Sequence, residues 1–303
     1  MFDGVSCSQI AMRRARIRCK NVFACEIDKY ALNVSKHHFP RTLQLGDITK
    51  LNTSILPKID LLIGGSPCQS FSNSGKRTGF DGKSGLFWEY VRVLREAKPK
   101  YFLLENVKMK REWRNIITDA LGVKPIEINS GLVSAQNRVR LYWTNISNVT
   151  QPRDKGLKLE IVLRRLAHGY VSEHVKEYQK YPALAAQRPG NKYEIFVDRE
   201  KSYAIRTSNH VSKISQYYDF HKQAVFTDEN QKCFRQLTPE ECEELQTIPV
   251  GYTAVDGNSK TQRYKQIGNA FTVDVVAHIL KHIPHEKPKK KPQQQLQFGF
   301  MRR

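Results

Sequence analysis

Apolar positions in the first half of the chain fall into short runs separated by amphipathic stretches. Val22-Phe-Ala-Cys-Glu-Ile27, Asp60-Leu-Leu-Ile63, Tyr101-Phe-Leu-Leu104 and Leu141-Tyr-Trp-Thr144 read as strands. Residues 29–38 read as a helix ending before Pro40. Residues 85–97 read as another, with Leu86, Phe87, Tyr90, Val91 and Leu94 as its apolar positions. Strands alternating with helices predict an α/β fold built on a doubly wound, mostly parallel sheet.

The periodicity fades from about Ser147. Residues 147–234 are polar and rich in Tyr, Lys and Arg, which predicts a smaller irregular domain inserted between residues 1–146 and a returning segment, 235–284. In that return, Thr238-Pro-Glu-Glu241 has the form of a helix start: an N-cap threonine, proline at the first helical position and glutamate at the capping-box position. Residues 273–283 predict an apolar-faced helix. Residues 285–303 have the composition of a basic disordered tail.

Of the 303 residues, 40% are hydrophobic and 26% charged, ordinary for a globular protein. The net charge of +21 is not ordinary and points either to a polyanionic partner, nucleic acid foremost, or to a solubilising surface. Residues 286–303 hold six cations and one acid, so the body before them still carries +16. The six cysteines form no C-x2-C pair, which argues against structural zinc, and no metal is expected. So few cysteines, without a signal peptide, point to a reduced cytoplasmic setting. No apolar run approaches the ~20 residues of a membrane span.

Candidate chemistry centres on Cys68, which follows the Asp60–Ile63 run through a Gly-Gly-Ser-Pro turn. A strand breaking at such a turn presents the next side chain at the carboxyl edge of the sheet, where open α/β folds bind ligands. A buried structural thiol is the plainer alternative. The thiolate fraction of a free cysteine is small at neutral pH but strongly nucleophilic. Glu105 closes another apolar run and suits donation to a ring nitrogen, or simply anchors a loop. Arg138 and Arg140 alternate with Val139, which predicts one strand face carrying two guanidinium groups, either for carbonyl or phosphate recognition or as the face of a solvated edge strand. At the start of the chain, Phe2-Asp-Gly4 forms a loop that can bring backbone N–H groups to a cofactor. Glu26 is placed for ribose hydroxyls and Asp47 for an adenine amino group, with a loop-surface carboxylate as the plainer alternative for each.

Taken together, these motifs resemble the C5-cytosine DNA methyltransferases. The resemblance rests on Phe2-Asp-Gly4, Glu26, Asp47, Gly65-Ser-Pro-Cys-Gln69, Leu104-Glu-Asn-Val107, Gln136-x-Arg138-x-Arg140, Arg235-Gln-Leu-Thr-Pro-Glu240 and Gln266-Ile-Gly-Asn269, in family order over residues 1–283. The short recognition region, with Ala204-Ile-Arg-Thr-Ser-Asn209, is similar to the branch holding the animal de novo enzymes and many phage and bacterial relatives. The related tRNA methyltransferases carry a Cys-Phe-Thr signature, which this chain lacks. A non-enzymatic paralogue would have lost Cys68 or Glu105.

The resemblance implies an S-adenosylmethionine-dependent enzyme that methylates C5 of a cytosine flipped out of double-stranded DNA. Cys68 would attack C6, Glu105 would hold N3, Arg140 would bind O2 and Arg138 would support the Cys68 loop. The cofactor would meet Phe2, Asp3, Gly4, Glu26, Asp47, Ile48, Pro67, Leu86, Asn269 and Ala270. Gln69, Ser70, Arg206, Thr207, Ser208 and Asn209 would contact DNA. The setting implied is prokaryotic or phage-encoded, with the protein at the nucleoid as a monomer, in restriction-modification or as an orphan.

Two departures carry expectations. Family members have a full apolar strand before the Phe. Here the chain begins at Met1-Phe2, so a gap beside the cofactor is expected, from a truncation or a start assigned too far downstream. Ser6 and Ser8 stand where many relatives have glycine, so a more loosely packed first loop is expected. In the tail, Gln295-Leu-Gln-Phe-Gly-Phe300 is similar to peptides that dock on bacterial sliding clamps.

Overall fold

The structure, a computed structural model, describes residues 1–67, 83–162, 181–182, 201–205, 224–226 and 233–284. Cys68, Gln69, Ser70, Arg206, Thr207, Ser208, Asn209 and the Gln295–Phe300 peptide lie outside the described residues.

In chain order the first half holds α1 (Cys7–Arg14), β1 (Phe23–Ala24), α2 (Lys29–His38), β2 (Leu43–Gln44), β3 (Leu61–Gly64), α3 (Phe87–Ala97), β4 (Tyr101–Val107), α4 (Arg111–Leu121), β5 (Ile126–Asn129), β6 (Gln136–Asn137) and β7 (Val139–Thr144). The second half adds β8 (Tyr181–Pro182), β9 (Ser202–Tyr203), β10 (Ala224–Phe226), β11 (Cys233–Gln236), α5 (Pro239–Leu245), α6 (Lys260–Asn269) and α7 (Val273–Leu280).

The central sheet has the order β3-β4-β7-β5. β3 and β4 are parallel, Leu61 opposite Tyr101. β7 is antiparallel to both β4 and β5. The sheet is therefore mixed, and the cause is connection length. Nine residues separate β5 from β7, whereas a parallel crossover needs about a dozen or more. β1 and β2 form a second parallel pair. Met1 to Asp3 lie between that pair and β3: the Met1 amino group donates to Ile63 O at 2.7 Å and Asp3 N donates to Cys25 O at 3.0 Å.

Alternation along β3, β4 and β7 sends successive side chains to opposite faces. Leu62, Phe102, Leu104, Leu141 and Trp143 pack with Phe87, Tyr90 and Val91 of α3 and Ile117 and Leu121 of α4. Leu61, Ile63, Leu103, Ile128 and Tyr142 pack on the other side with α1 and α7. Both faces being covered, the strands read as continuous apolar runs. Each fully buried large side chain contributes about 1.5–3 kcal/mol of transfer free energy.

Local differences from the sequence reading have local causes. β1 is shorter than 22–27 because Cys25 O accepts from Asp3 N and the Glu26 side chain folds back onto Ile27 N and Asp28 N. β4 continues to Val107, so Glu105 stands inside the strand rather than after it. Arg138 falls between β6 and β7, so the two arginines do not share one strand face. The helix starting at 273 ends at Leu280 and closes in a turn. α5 begins as expected: Thr238 accepts from Glu241 N, and the Glu241 carboxylate accepts from Thr238 N at 2.7 Å. Among the described residues no helix is long and apolar enough to cross a membrane.

Candidate active site

The first loop is built around two carboxylates. Gly4, at φ 56°, turns the chain so that its N–H donates to Glu26 Oε2 at 2.8 Å. Ile27 N and Asp28 N both donate to Glu26 Oε1 at 2.8 Å. Glu26 thus fixes the end of β1 against the loop and keeps acceptor capacity for a further donor. Asp3 accepts from the hydroxyls of Ser6 and Ser8. Ser6 is fully buried, adopts φ 60° and also bonds Ser35 Oγ at 2.7 Å. The expected loosening by serine is therefore overturned: both serines bind the Asp3 carboxylate, and Ser6 ties the loop to α2. Burial raises the Asp3 carboxyl above its ordinary value.

Asp47 caps the turn Ile48–Lys50, accepting from Thr49 N at 2.9 Å and Thr49 Oγ1 at 2.8 Å through Oδ1. Those hydrogen bonds hold its pKa below the ordinary carboxylate range. Ile48 is buried, and Phe2 and Leu86 are partly buried against the same apolar core.

The exit of β3 is packed tightly. A Cβ on Gly64 would stand 2.9 Å from the Tyr90 ring, so only glycine fits there. A Cβ on Gly65 would meet Glu105 Oε2 at 3.3 Å, so the Glu105 carboxylate lies directly against this loop. Asn106, pointing to the opposite face, donates to Ser66 Oγ at 3.0 Å and anchors the step before Pro67. No role had been assigned to Asn106 from sequence; an amide beside an acid at a strand end is the available signal.

Glu105 and Arg140 meet across the sheet. Register pairs Glu105 with Tyr142 and Val107 with Arg140, so the two side chains are diagonal neighbours on one face. Arg140 Nε lies 3.1 Å from Glu105 Oε1, with side chains 16% and 15% exposed. Both are accessible to a ligand yet largely shielded from water, where a charged hydrogen bond is worth more.

Arg138 is used differently. It is buried and donates to Ile205 O at 2.7 Å, Gly268 O at 3.0 Å and Ala270 O at 2.9 Å. Gln246 Nε2 donates to Ile267 O and Ala270 O, each at 3.0 Å, and Gln136 Nε2 donates to Leu245 O at 2.9 Å. Ile205 N closes the network by donating to Gln136 Oε1 at 2.9 Å. Asn269 is exposed and Ala270 half-buried, both at the end of α6 where this network holds the last turn. The loop that Arg138 is expected to support continues beyond Pro67, outside the described residues.

The structure thus brings together Phe2, Asp3, Gly4 and Glu26 at one strand end, and Gly65, Glu105 and Arg140 at another. Acids and a guanidinium are gathered near the strand ends of an α/β sheet, where such folds bind ligands. A family model described as C-5 cytosine-specific DNA methylase matches residues 1–119 and 133–285. The chain belongs to that family and is by class a DNA cytosine-C5 methyltransferase. It is similar to the type II methyltransferase M1.ScrFI of Lactococcus lactis subsp. cremoris, at 29% identity over 298 residues covering 92% of this chain and 75% of that protein. It is also similar to M.NlaX of Neisseria lactamica, at 28% over 301 residues covering 92% and 93%. The orphan methyltransferase M.SPRI of Bacillus phage SPR is 38% identical over 160 residues, 48% of this chain and 36% of that protein. Among solved structures, the Entamoeba histolytica methyltransferase EhMeth has the same fold, with TM-score 0.70 at 17% identity, covering 93% of this chain and 95% of that one.

Proposed function

We propose that the chain methylates a flipped cytosine in a specific double-stranded DNA sequence through a covalent Cys68 adduct. The observation carrying this reading is the Glu105–Arg140 pair, 3.1 Å apart and set against Gly65 three residues before Cys68.

Flipping the base out of the duplex costs a few kcal/mol. The Cys68 thiolate adds to C6, breaking the C5–C6 π bond and moving its electrons to C5. Glu105 hydrogen-bonds N3 and the exocyclic amine, which draws charge into the ring, and Arg140 holds O2. For this, the Glu105–Arg140 contact opens to admit the base edge. After methylation C5 loses its proton, the C6–S bond breaks and the double bond re-forms, releasing the thiolate.

The residues at the β1 and β2 ends suit S-adenosylmethionine, which when bound supplies the methyl group. Asp47 keeps an exposed carboxylate whose described bonds all fall on Oδ1. Glu26 retains acceptor capacity beside the Gly4 turn, and Phe2, Ile48 and Leu86 offer apolar surface. In this reading Asp3, Pro67, Asn269 and Ala270 complete the cofactor side. Arg138 positions residues 201–205 against the catalytic part, and residues 147–234 with Gln69, Ser70 and Arg206 to Asn209 read the DNA. The enzyme works as a cytoplasmic monomer, on prokaryotic or phage DNA.

Methyl transfer from labelled cofactor to duplex DNA tests the reading. Loss on Cys68→Ala, with the fold intact, supports it; undiminished transfer contradicts it. Sequencing after bisulfite conversion of DNA from expressing cells identifies the target motif.

A further inference from the structure

Exposed cations cluster on the edge of the sheet where β1, β2 and β3 begin. The opposite edge is mixed, with Asp3, Glu26 and Asp47 near the ends of the first strands and Lys108, Lys110 and Arg111 after β4. Arg16, Arg18 and Lys20 lead into β1, Arg41 into β2 and Lys58 into β3. All five are exposed, and none forms an ion pair with a described residue. In the connecting segments 15–22, 39–42 and 56–60 the single acid is Asp60.

Helix stability alone accounts for neighbouring cations but not for these. Arg13 and Arg14 complement the C-terminal dipole of α1. Arg13 also lies 4.3 Å over the Phe39 ring, and Arg14 pairs with Asp274 at 2.8 Å. Arg16, Arg18 and Lys20 stand beyond the helix. Arg16 moreover occupies the left-handed position, φ 60°, of a helix closure in which Ile17 N donates to Met12 O at 2.9 Å and Arg16 N donates to Arg13 O at 3.0 Å. Glycine is the usual residue there. An arginine held at that position gains nothing from the backbone.

β2, β1, Met1–Asp3 and β3 stand side by side. Three strand spacings of about 4.8 Å put Arg41 and Lys58 roughly 14 Å apart along the edge. One DNA strand advances about 3.4 Å of axis per phosphate, so the row spans about four phosphates. Three of the five cations are arginines, whose planar fork matches phosphate oxygens. We propose that this edge is a second DNA-contact surface, binding the phosphate backbone of a duplex on the side of the sheet away from the catalytic residues.

The test is independent of the catalytic reading, because it uses a short duplex of A·T pairs only. Binding of the full chain is measured over a range of salt, for wild type and for the combined variant Arg16→Gly, Arg18→Gln, Lys20→Gln, Arg41→Gln. Each phosphate contact contributes about −0.9 to the slope of log K against log salt. The variant is expected to lose about 3 to 4 from the magnitude of that slope. Its thermal stability should be unchanged or higher, and its transfer to a short cytosine-containing duplex unchanged. An unchanged slope overturns the proposal. Loss of polyglutamate binding with an unchanged duplex slope also overturns it, in favour of an acidic protein partner. Loss of methyl transfer in the folded variant overturns it too, because the edge would then belong to the catalytic interface.

Discussion

A single added methyl group at Gly64 would meet the Tyr90 ring at 2.9 Å, and the ring, fully buried, has nowhere to go. Gly64→Ala should destabilise the fold by about 1–3 kcal/mol, the usual cost of overpacking, seen as a lower denaturation midpoint. Glu105→Gln removes the carboxyl group facing Arg140 while keeping the side-chain volume. Methyl transfer should fall by about 10²–10⁴-fold with the thermal midpoint little changed, because in the proposed mechanism the lost group acts on the substrate ring. Asp3 makes a pH prediction. Burial raises its folded pKa, so the folded chain retains a proton that the unfolded chain has released. Stability then falls as pH rises through the ordinary carboxylate range toward the raised folded value. Asp3→Asn should abolish that decline in denaturation curves taken from acid to neutral pH, and an unchanged decline would assign it elsewhere.

The elements of the second half are joined by buried polar contacts rather than by apolar packing alone. Glu243 on α5, fully buried, accepts from Gly251 N at 2.6 Å and Thr253 N at 2.8 Å, and pairs with Arg263 of α6 at 3.2 Å. Glu243→Ala should cost about 3–5 kcal/mol by leaving Arg263 and two N–H groups short of their acceptor. Chemical denaturation measures it, and a cost below about 1 kcal/mol would contradict the assignment. Elements of this kind differ in how far sequence reveals them. The start of α5 was legible because its cap, proline and capping-box glutamate lie within four residues. The Gly-Gly-Ser-Pro exit from β3 and the acid Glu26 after β1 were legible for the same local reason. The partners of Arg138 were not, since Ile205, Gly268 and Ala270 stand 67 to 132 positions away. Nor was the direction of β7, which follows from a connection too short for a crossover. The use of Ser6 depended on Ser35 of α2, a tertiary neighbour that no local pattern marks.

Among the described residues, exposed cations cluster where β1, β2 and β3 begin. The net +21 predicts affinity for a polyanion. The proposed cofactor and base site, with Asp3, Glu26, Glu105 and Arg140, lies at the other ends of these strands from the row Arg16, Arg18, Lys20, Arg41 and Lys58. Binding to DNA should weaken steeply with salt, as counterions released at phosphates are regained. The central claim remains chemical: Cys68 forms a bond to the base that Glu105 and Arg140 hold. Duplex DNA bearing 5-fluorocytosine at the target base tests this most directly, because fluorine in place of the C5 proton prevents release of the adduct. With cofactor present, wild type should give a denaturation-resistant protein–DNA complex, Glu105→Gln should give far less, and Cys68→Ser should give none. A complex of undiminished yield with Cys68→Ser would contradict the account.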